Sequence, residues 1–133
     1  NRYPKVSVFI EKTIAQAYKD GFVTTMFGRK RPLPELQSSN YNERSFGERA
    51  AVNAVLQGSA ADIIKLAMIN IDRFLLQESL LSHLVLQVHD ELVLEVTPLE
   101  QDYVQTKVKE LMEQVCPLKV PLKVDLALKT SWA

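Results

Sequence analysis

Apolar residues recur at intervals of three or four in three segments of this chain, which is the spacing of an amphipathic helix. The first predicted helix begins at Pro4 and ends before Gly21, because glycine readily adopts the left-handed conformation that terminates a helix. The second and longest runs from about Ser45 to Gln77. Gly58 lies inside it and is expected to permit a kink.

The start of the third predicted helix is marked by Thr97, Pro98 and Glu100. Threonine at the N-cap, proline at the first helical position and glutamate three residues after the cap form the pattern of a capping box. The buried side of this helix is expected to carry Val104, Val108, Leu111, Met112 and Val115.

Short runs rich in apolar and β-branched residues predict strands between and after the helices. Residues 22–25 and 31–33 predict a small basic hairpin whose tip is Arg29-Lys30-Arg31. Residues 84–96 predict two strands joined at Asp90-Glu91, and alternation over 120–126 predicts a last, half-buried strand. The predicted fold class is therefore α+β, with a small antiparallel sheet covered by helices on one face.

Composition fits one globular domain: the chain has 133 residues, of which 47% are hydrophobic and 24% are charged. Its single cysteine, Cys116, cannot form an intramolecular disulfide, which favours a reducing, intracellular compartment. We expect no signal peptide, no transmembrane helix and no membrane partner.

Charge is unevenly distributed although the net charge is zero. Residues 1–49 carry nine basic and five acidic side chains, whereas residues 50–133 carry seven and eleven. Such asymmetry is compatible with one part facing a polyanion, and it is also common in ordinary domains.

The adjacent carboxylates of Asp90 and Glu91 are the sharpest candidate for chemistry. Two like charges about 4 Å apart repel by roughly 1 kcal/mol in water and more near a protein surface, and a divalent cation would reverse that cost. Mg²⁺ is typically held by one or two carboxylates together with substrate phosphates. A solvated acidic turn is the alternative. The neighbouring His89 could donate to a phosphate or have only a structural role.

Two further groups could bind nucleic acid. Arg49, Asn53 and Gln57 recur every fourth residue on one helix face and could donate hydrogen bonds to the acceptors that all base pairs present in the minor groove. The tripeptide Arg29-Lys30-Arg31 could contact phosphates. A solvated helix face and a solvated loop are the corresponding alternatives.

Several motifs, in order along nearly the whole chain, resemble the C-terminal end of family A DNA polymerases of the bacterial DNA polymerase I type. They are Arg2-Tyr3-Pro4, Gly28-Arg29-Lys30-Arg31-Pro32-Leu33-Pro34, Glu48-Arg49-Ala50-Ala51-Val52-Asn53, Gln57-Gly58-Ser59-Ala60-Ala61-Asp62-Ile63-Ile64-Lys65, Gln87-Val88-His89-Asp90-Glu91-Leu92, Val120-Pro121-Leu122 and Trp132. Each motif is weak alone, but their order and spacing together are highly specific.

The resemblance implies template-directed DNA synthesis by two-metal catalysis on Mg²⁺, with Mn²⁺ as a possible substitute. Asp90 resembles the palm aspartate that binds both metals, Glu91 its acidic neighbour, and His89 the residue beside the primer terminus. Arg49 and the two amide residues that follow it on the helix resemble the family's minor-groove sensors. Primer-template DNA and deoxynucleoside triphosphates are the implied partners.

The resemblance also implies a division of the chain: residues 1–44 would be the end of the fingers and residues 45–133 part of the palm. A second metal-binding aspartate and the fingers helix that grips the triphosphate would lie upstream, so the rest of the polymerase is an implied partner and the chain alone is expected to be inactive. The implied location is cytoplasm or nucleoid in bacteria, and nucleus or organelle otherwise. The rival hypotheses are a non-catalytic DNA-binding module derived from a palm, and an α+β interaction domain with an acidic turn.

Overall fold

The structure, a computed structural model, describes residues 2–131. Trp132, part of the resemblance, lies outside the described residues. The elements in chain order are α1 (Pro4–Asp20), β1 (Phe22–Thr24), β2 (Lys30–Pro32), a 3-10 helix (Pro34–Gln37), α2 (Tyr41–Gln77), β3 (His83–Val88), β4 (Glu91–Glu95), a second 3-10 helix (Pro98–Glu100) and α3 (Gln101–Glu113). The α+β class is confirmed, with two separate antiparallel hairpins, β1–β2 and β3–β4, in place of one sheet.

The chain divides into two compact units, Asn1–Asp62 and Ile63–Ala133. This division reflects the compactness of the two units and does not test the predicted boundary between fingers and palm at residue 44, which stays a prediction. In the first unit, α1 ends as expected at Gly21, whose φ is 78° and whose N–H donates to the Ala17 carbonyl. The core of this unit consists of Ala17, Val23, Leu33, Leu36, Ala50, Ala51 and Ala54.

Helix α2 begins at Tyr41, four residues before the predicted start. The Asn40 side chain explains the difference, because its Oδ1 accepts the Asn42 N–H at 2.8 Å while its carbonyl accepts the Arg44 N–H. Asparagine is among the strongest N-cap residues, since its side chain satisfies one of the free N–H groups of the first turn. Helical structure continues without interruption through Gly58.

Within residues 2–131, α2 is the one helix that is long and apolar enough to cross a membrane, judged by length and composition alone. The sequence was expected to contain no such helix. Buried core helices pass the same test; α2 contributes the fully buried Ala51 and Ile71 to the cores of the two units, while 17% of its most apolar 18 residues is buried. The finding is weak support for a membrane span, so the absence of a membrane partner stays a prediction.

The second unit is built around Ile71, Leu75, Val104 and Val108, which are at most 3% exposed. The C-terminal part of α2 thus packs against α3 through most of the predicted apolar side of the third helix, although Val115 lies beyond the end of α3. Leu92 and Leu94 of β4 pack against the same cluster. The Phe74 ring meets the Tyr103 ring edge to face, with centroids 5.6 Å apart.

The predicted capping box before α3 does not form. Thr97 makes no side-chain capping hydrogen bond, and residues Pro98–Glu100 form a 3-10 turn that precedes the helix. The Glu100 carboxylate instead accepts hydrogen bonds from the Leu81 N–H at 2.9 Å, the Ser82 N–H at 2.9 Å and the Ser82 hydroxyl at 2.6 Å. A long-range anchor just before β3 therefore replaces the local cap.

Residues 120–126 contain no strand, contrary to the alternating pattern. A strand needs a neighbour with which to exchange backbone hydrogen bonds, and within the described residues β3 and β4 pair only with each other. The Val124 N–H donates instead to the Glu113 carboxylate at 2.8 Å. Leu122 and Val124 are half-buried between exposed neighbours, whereas Val120 is 69% exposed, so part of the predicted alternation in burial is present without a strand.

Acidification is expected to loosen the segment before β3. The pKa of Glu100 lies below its ordinary value of 4.5, chiefly because the Leu81 N–H donates to the carboxylate and also because the Ser82 hydroxyl does. A carboxyl whose pKa is lower in the folded protein stabilises the fold above the unfolded pKa, and this contribution is lost as the pH falls through the folded value. We expect hydrogen-exchange protection of residues 81 and 82, corrected for intrinsic rate, to decrease as the pH falls below 4.5.

The Glu100→Gln variant is expected to lack this pH dependence and to be less protected already at neutral pH. Glu110→Gln is the matched control, because Glu110 lies on α3 and its carboxylate forms a long, exposed ion pair with Lys107 at 3.9 Å. Equal protection of residues 81 and 82 in wild type and Glu100→Gln at pH 7 would contradict the anchoring role.

Candidate functional site

A cleft of about 230 Å³ in the first unit joins two of the predicted nucleic-acid-binding groups. One wall carries Arg29, Lys30 and Arg31, and the other carries Asn53 and Gln57 of α2. The remaining lining residues are Thr25, Ala54 and Gly58. Basic side chains and side-chain amides that are 22 or more residues apart in sequence thus share one concave surface.

The three residues of α2 that the sequence grouped together are all exposed, as their spacing of four predicts. Asn53 and Gln57 line the cleft, whereas Arg49 does not. The helix places Arg49 one turn before Asn53 on the same side, so the exposed polar face continues beyond the cleft. The structure therefore brings together five of the six predicted residues of these two groups.

The basic tripeptide is not the tip of its hairpin, which corrects the sequence prediction. The turn is at Met26 and Phe27, followed by Gly28 with a φ of 85°. Lys30 and Arg31 belong to β2, where they pair with Thr24 and Val23. Glycine tolerates this left-handed backbone without steric cost, and it therefore determines where the chain reverses. Two of the three basic residues are consequently held by a strand.

A compact hydrogen-bond network attaches the β1–β2 loop to α2. Arg29 Nε lies 2.9 Å from Asp62 Oδ1, and Arg29 Nη2 donates to the Gly58 carbonyl at 3.3 Å. The Thr25 hydroxyl donates to Asp62 Oδ2 at 2.6 Å. The Met26 N–H donates to Ser59 Oγ at 2.9 Å.

Gly58 allows this close approach. A Cβ at position 58 would lie 2.7 Å from Thr25 Cγ2, which is shorter than real side-chain contacts. The predicted kink is therefore not needed to explain this glycine, because its lack of a side chain lets the loop pack directly on the helix. Sequence reasoning missed Thr25, Ser59 and Asp62. Gly58 and Asp62 are four positions apart and therefore lie on one face of α2. This spacing was the sequence signal that could have indicated the contact with the loop.

The acidic hairpin belongs to the second unit. Its two-residue loop is His89-Asp90, and Glu91 is already the first residue of β4, paired with Val88. The predicted Asp90-Glu91 turn was thus wrong by one residue. His89 has a φ of 54°, matching the left-handed first position of the tight turns that suit twisted hairpins. Gln87 supports the turn by donating to the His89 carbonyl at 3.1 Å.

The two carboxylates of this hairpin are exposed. Leu92 and Leu94 pack on the core of the second unit, so alternation along β4 places Glu91 on the opposite face, together with Val93. The carboxylates fit Mg²⁺ by donor type, since hard oxygen ligands are those it prefers. Residues 2–131 contain no group of three or more His, Cys, Asp or Glu side chains placed to hold a metal ion. One or two carboxylates with other oxygen ligands are the arrangement these residues could support.

Comparison with known proteins relates this chain to enzymes of DNA synthesis. The family described as DNA polymerase family A matches residues 1–133. DNA polymerase I of Lactococcus lactis subsp. lactis (strain IL1403) is 45% identical over 131 residues, which are 98% of this chain and 15% of that protein. DNA polymerase I of Mycobacterium leprae (strain TN) is 48% identical over 131 residues, which are 98% of this chain and 14% of that protein.

A solved structure agrees with the sequence relatives. The POL domain of Pol1 from M. smegmatis, in complex with DNA primer-template and dNTP, matches with a TM-score of 0.89 and 49% identity, over 92% of this chain and 22% of that chain. The chain thus spans a small part of the proteins it matches. Because the family match extends over its entire length, the chain belongs to DNA polymerase family A.

Proposed function

We propose that this chain supplies part of the primer-template site and part of the active site of a template-directed DNA polymerase. The reaction is transfer of a deoxynucleotide from its triphosphate to a primer 3′-hydroxyl. The observation that carries the proposal is the cleft in which Arg29, Lys30 and Arg31 face Asn53 and Gln57. Cations for phosphate and amides for base edges are the two kinds of group that duplex binding requires.

The amide wall of the cleft suits readout of pair geometry without readout of sequence. All base pairs present acceptors at similar minor-groove positions, adenine N3 or guanine N3 and the O2 of thymine or cytosine, so a donor there is insensitive to base identity. Asn53 and Gln57 offer NH₂ donors on rigid helix α2, and Arg49 extends the same face by a guanidinium. This arrangement favours contact with any correctly paired duplex.

The acidic hairpin is the proposed reaction centre within this chain. Asp90 and Glu91 would hold Mg²⁺, with Mn²⁺ as a substitute, and two such ions when bound supply activation of the primer 3′-hydroxyl and charge neutralisation on the triphosphate and pyrophosphate. The residues themselves contribute position: the tight turn and the Val88–Glu91 pair hold the carboxylates at the end of a two-stranded ribbon. His89, the first residue of the loop, is proposed to contact the primer terminus.

The partners proposed are primer-template DNA, deoxynucleoside triphosphates and the remainder of a polymerase chain. The M. smegmatis neighbour was solved with primer-template and dNTP, and this chain covers 22% of it. An intracellular location is proposed with them, because the relatives named above are bacterial DNA polymerases.

Replacing Gln57 by alanine is expected to weaken primer-template binding by about two- to tenfold, corresponding to loss of one hydrogen bond of about 0.5–1.5 kcal/mol. The measurement is equilibrium binding of a labelled primer-template to the complete polymerase that contains this chain. Gln77→Ala is the matched control, because Gln77 is an exposed glutamine at the end of the same helix. Unchanged affinity in Gln57→Ala would remove the amide wall from the proposed interface.

A further inference from the structure

We propose that the three adjacent basic residues have different roles. Arg29 pairs with Asp62 to position the loop after β1, whereas Lys30 and Arg31 contact DNA phosphates. Asp62 is then a positioning residue for DNA binding, although it is an acid beside a polyanion site. This inference rests on the proposed function, since it assigns roles within the same cleft.

Two of the five N–H donors of Arg29 are bound inside the protein. Its Nε contacts Asp62 at 2.9 Å and its Nη2 contacts the Gly58 carbonyl at 3.3 Å. The planar guanidinium reaches such fixed pairs of acceptors through two separate nitrogens, whereas lysine has only one nitrogen. The Asp62 side chain is only 12% exposed, whereas that of Arg29 is 53% exposed. Moving Arg29 to a phosphate would take the cation from a largely buried carboxylate, which is costly.

Asp62 binds the loop at two points. Oδ1 accepts a hydrogen bond from Arg29 Nε, and Oδ2 accepts one from the Thr25 hydroxyl at 2.6 Å. The same Thr25 oxygen accepts the N–H groups of Phe27 and Arg29, at 3.3 and 3.2 Å. Thr25 and Arg29 are the two ends of the turn and are also joined by the Thr25 N–H to Arg29 carbonyl bond of 2.9 Å. One carboxylate on α2 thus fixes both ends of the loop.

Lys30 and Arg31 are in a different situation. Within the described part of the chain, the Arg31 side chain has no hydrogen-bond or ion-pair partner, although it is exposed and lines the cleft. Lys30 Nζ lies 4.7 Å from the centroid of the Phe22 ring, a cation–π contact that orients the ammonium without neutralising it. Lys30 and Arg31 are the next two residues after Arg29. The position of Arg29 therefore determines where β2 exposes these two positive charges.

The direction of the affinity change on replacing Asp62 distinguishes this inference from a simple effect of net charge. Removing an acidic charge near a polyanion site should strengthen DNA binding if charge alone matters. Asp62→Asn is expected instead to weaken primer-template affinity by about three- to tenfold, because the loop loses its ionic anchor. Equal or tighter binding by Asp62→Asn would overturn the proposal.

Salt dependence tests the division of work between the arginines. Each phosphate contact contributes about 0.9 to the slope of log affinity against log salt concentration. In the complete polymerase, Arg31→Met is expected to flatten the slope by about this amount. Arg29→Met is expected to lower affinity and leave the slope unchanged, because the freed loop must be ordered on binding while Lys30 and Arg31 still reach the phosphates. Flattening of the slope by Arg29→Met to the same extent would overturn the proposal.

Two measurements guard against misfolding and against failure of the proposed function. The active fraction of each variant is determined by titration, and Arg29→Lys is compared with Arg31→Lys, since both keep the charge. Only Arg29→Lys is expected to lose affinity, and equal affinities in the two lysine variants would refute the positioning role. If the wild-type polymerase does not bind primer-template, both the proposed function and this inference are wrong. If the wild type binds normally but the variants do not show the expected changes in affinity, only this inference is wrong.

Discussion

Replacing Asp90 by alanine in a complete polymerase that contains this chain is expected to abolish nucleotide addition, with a loss of at least about a thousandfold, while primer-template affinity changes little. Removing a group that stabilises charge mainly in the transition state lowers the rate without weakening ground-state binding. Asp90 is exposed in the loop of the β3–β4 hairpin, and no core packing depends on it. Primer extension under single-turnover conditions, together with equilibrium DNA binding, measures the two effects.

Two variants make this test specific. Asp90→Asn keeps the size of the side chain and is expected to be as inactive as alanine, because an amide oxygen replaces a charged ligand. Glu95→Ala is the matched control, since Glu95 is an exposed acid at the other end of the same strand β4. Wild-type turnover in either Asp90 variant would remove Asp90 from the mechanism. A parent chain without any metal-dependent activity would favour the rival non-catalytic DNA-binding module.

The isolated 133 residues are expected to show no detectable primer extension with Mg²⁺ or Mn²⁺ at any primer-template concentration. Those residues correspond to 14–15% of the length of the two polymerases compared above. Within residues 2–131, no three Asp, Glu, His or Cys side chains are grouped so that they could hold a metal ion. Two-metal catalysis needs ligands from more than one carboxylate pair and a group that holds the triphosphate.

The assay for the isolated chain is extension of a labelled primer with all four deoxynucleotides, resolved at single-nucleotide length. The complete polymerase, assayed at equal concentration, is the positive control, and circular dichroism records whether helices α1 to α3 are present. Robust extension by the isolated chain would show that it carries a whole active site. It would also contradict the assignment of the remaining ligands to an upstream segment.

Most regular elements followed from local sequence signals. The end of the first helix at Gly21 was predictable, because glycine adopts the left-handed backbone conformation at little steric cost. The apolar side of α3 was predictable because apolar residues recur with the 3.6-residue period of a helix. The polar face of α2 followed from the spacing of four between Arg49, Asn53 and Gln57. The family was equally visible, since the order and spacing of its motifs are properties of the sequence.

Pairing choices were not predictable in this way. Asp90-Glu91 was placed in the hairpin loop from charge, yet pairing of Val88 with Glu91 moved the loop to His89-Asp90. Glu100 has the sequence position of a capping residue, but the backbone and hydroxyl of Ser82 offer it more hydrogen bonds. In the hairpin, backbone pairing between residues three positions apart decided the loop. For Glu100, a contact with a residue 18 positions away replaced the local cap.

By itself, the sequence determined which segments become helices, which residues share a helix face and to which family the chain belongs, because these depend on neighbours within a few positions or on motif order. Only the tertiary structure decided that Arg29 pairs with Asp62 on α2 while Arg31 stays available at the cleft. Three adjacent basic residues are equivalent in sequence, but they differ once one of them meets a largely buried carboxylate 33 positions away. Partner choice across such a distance depends on how the chain packs, which local propensities do not specify.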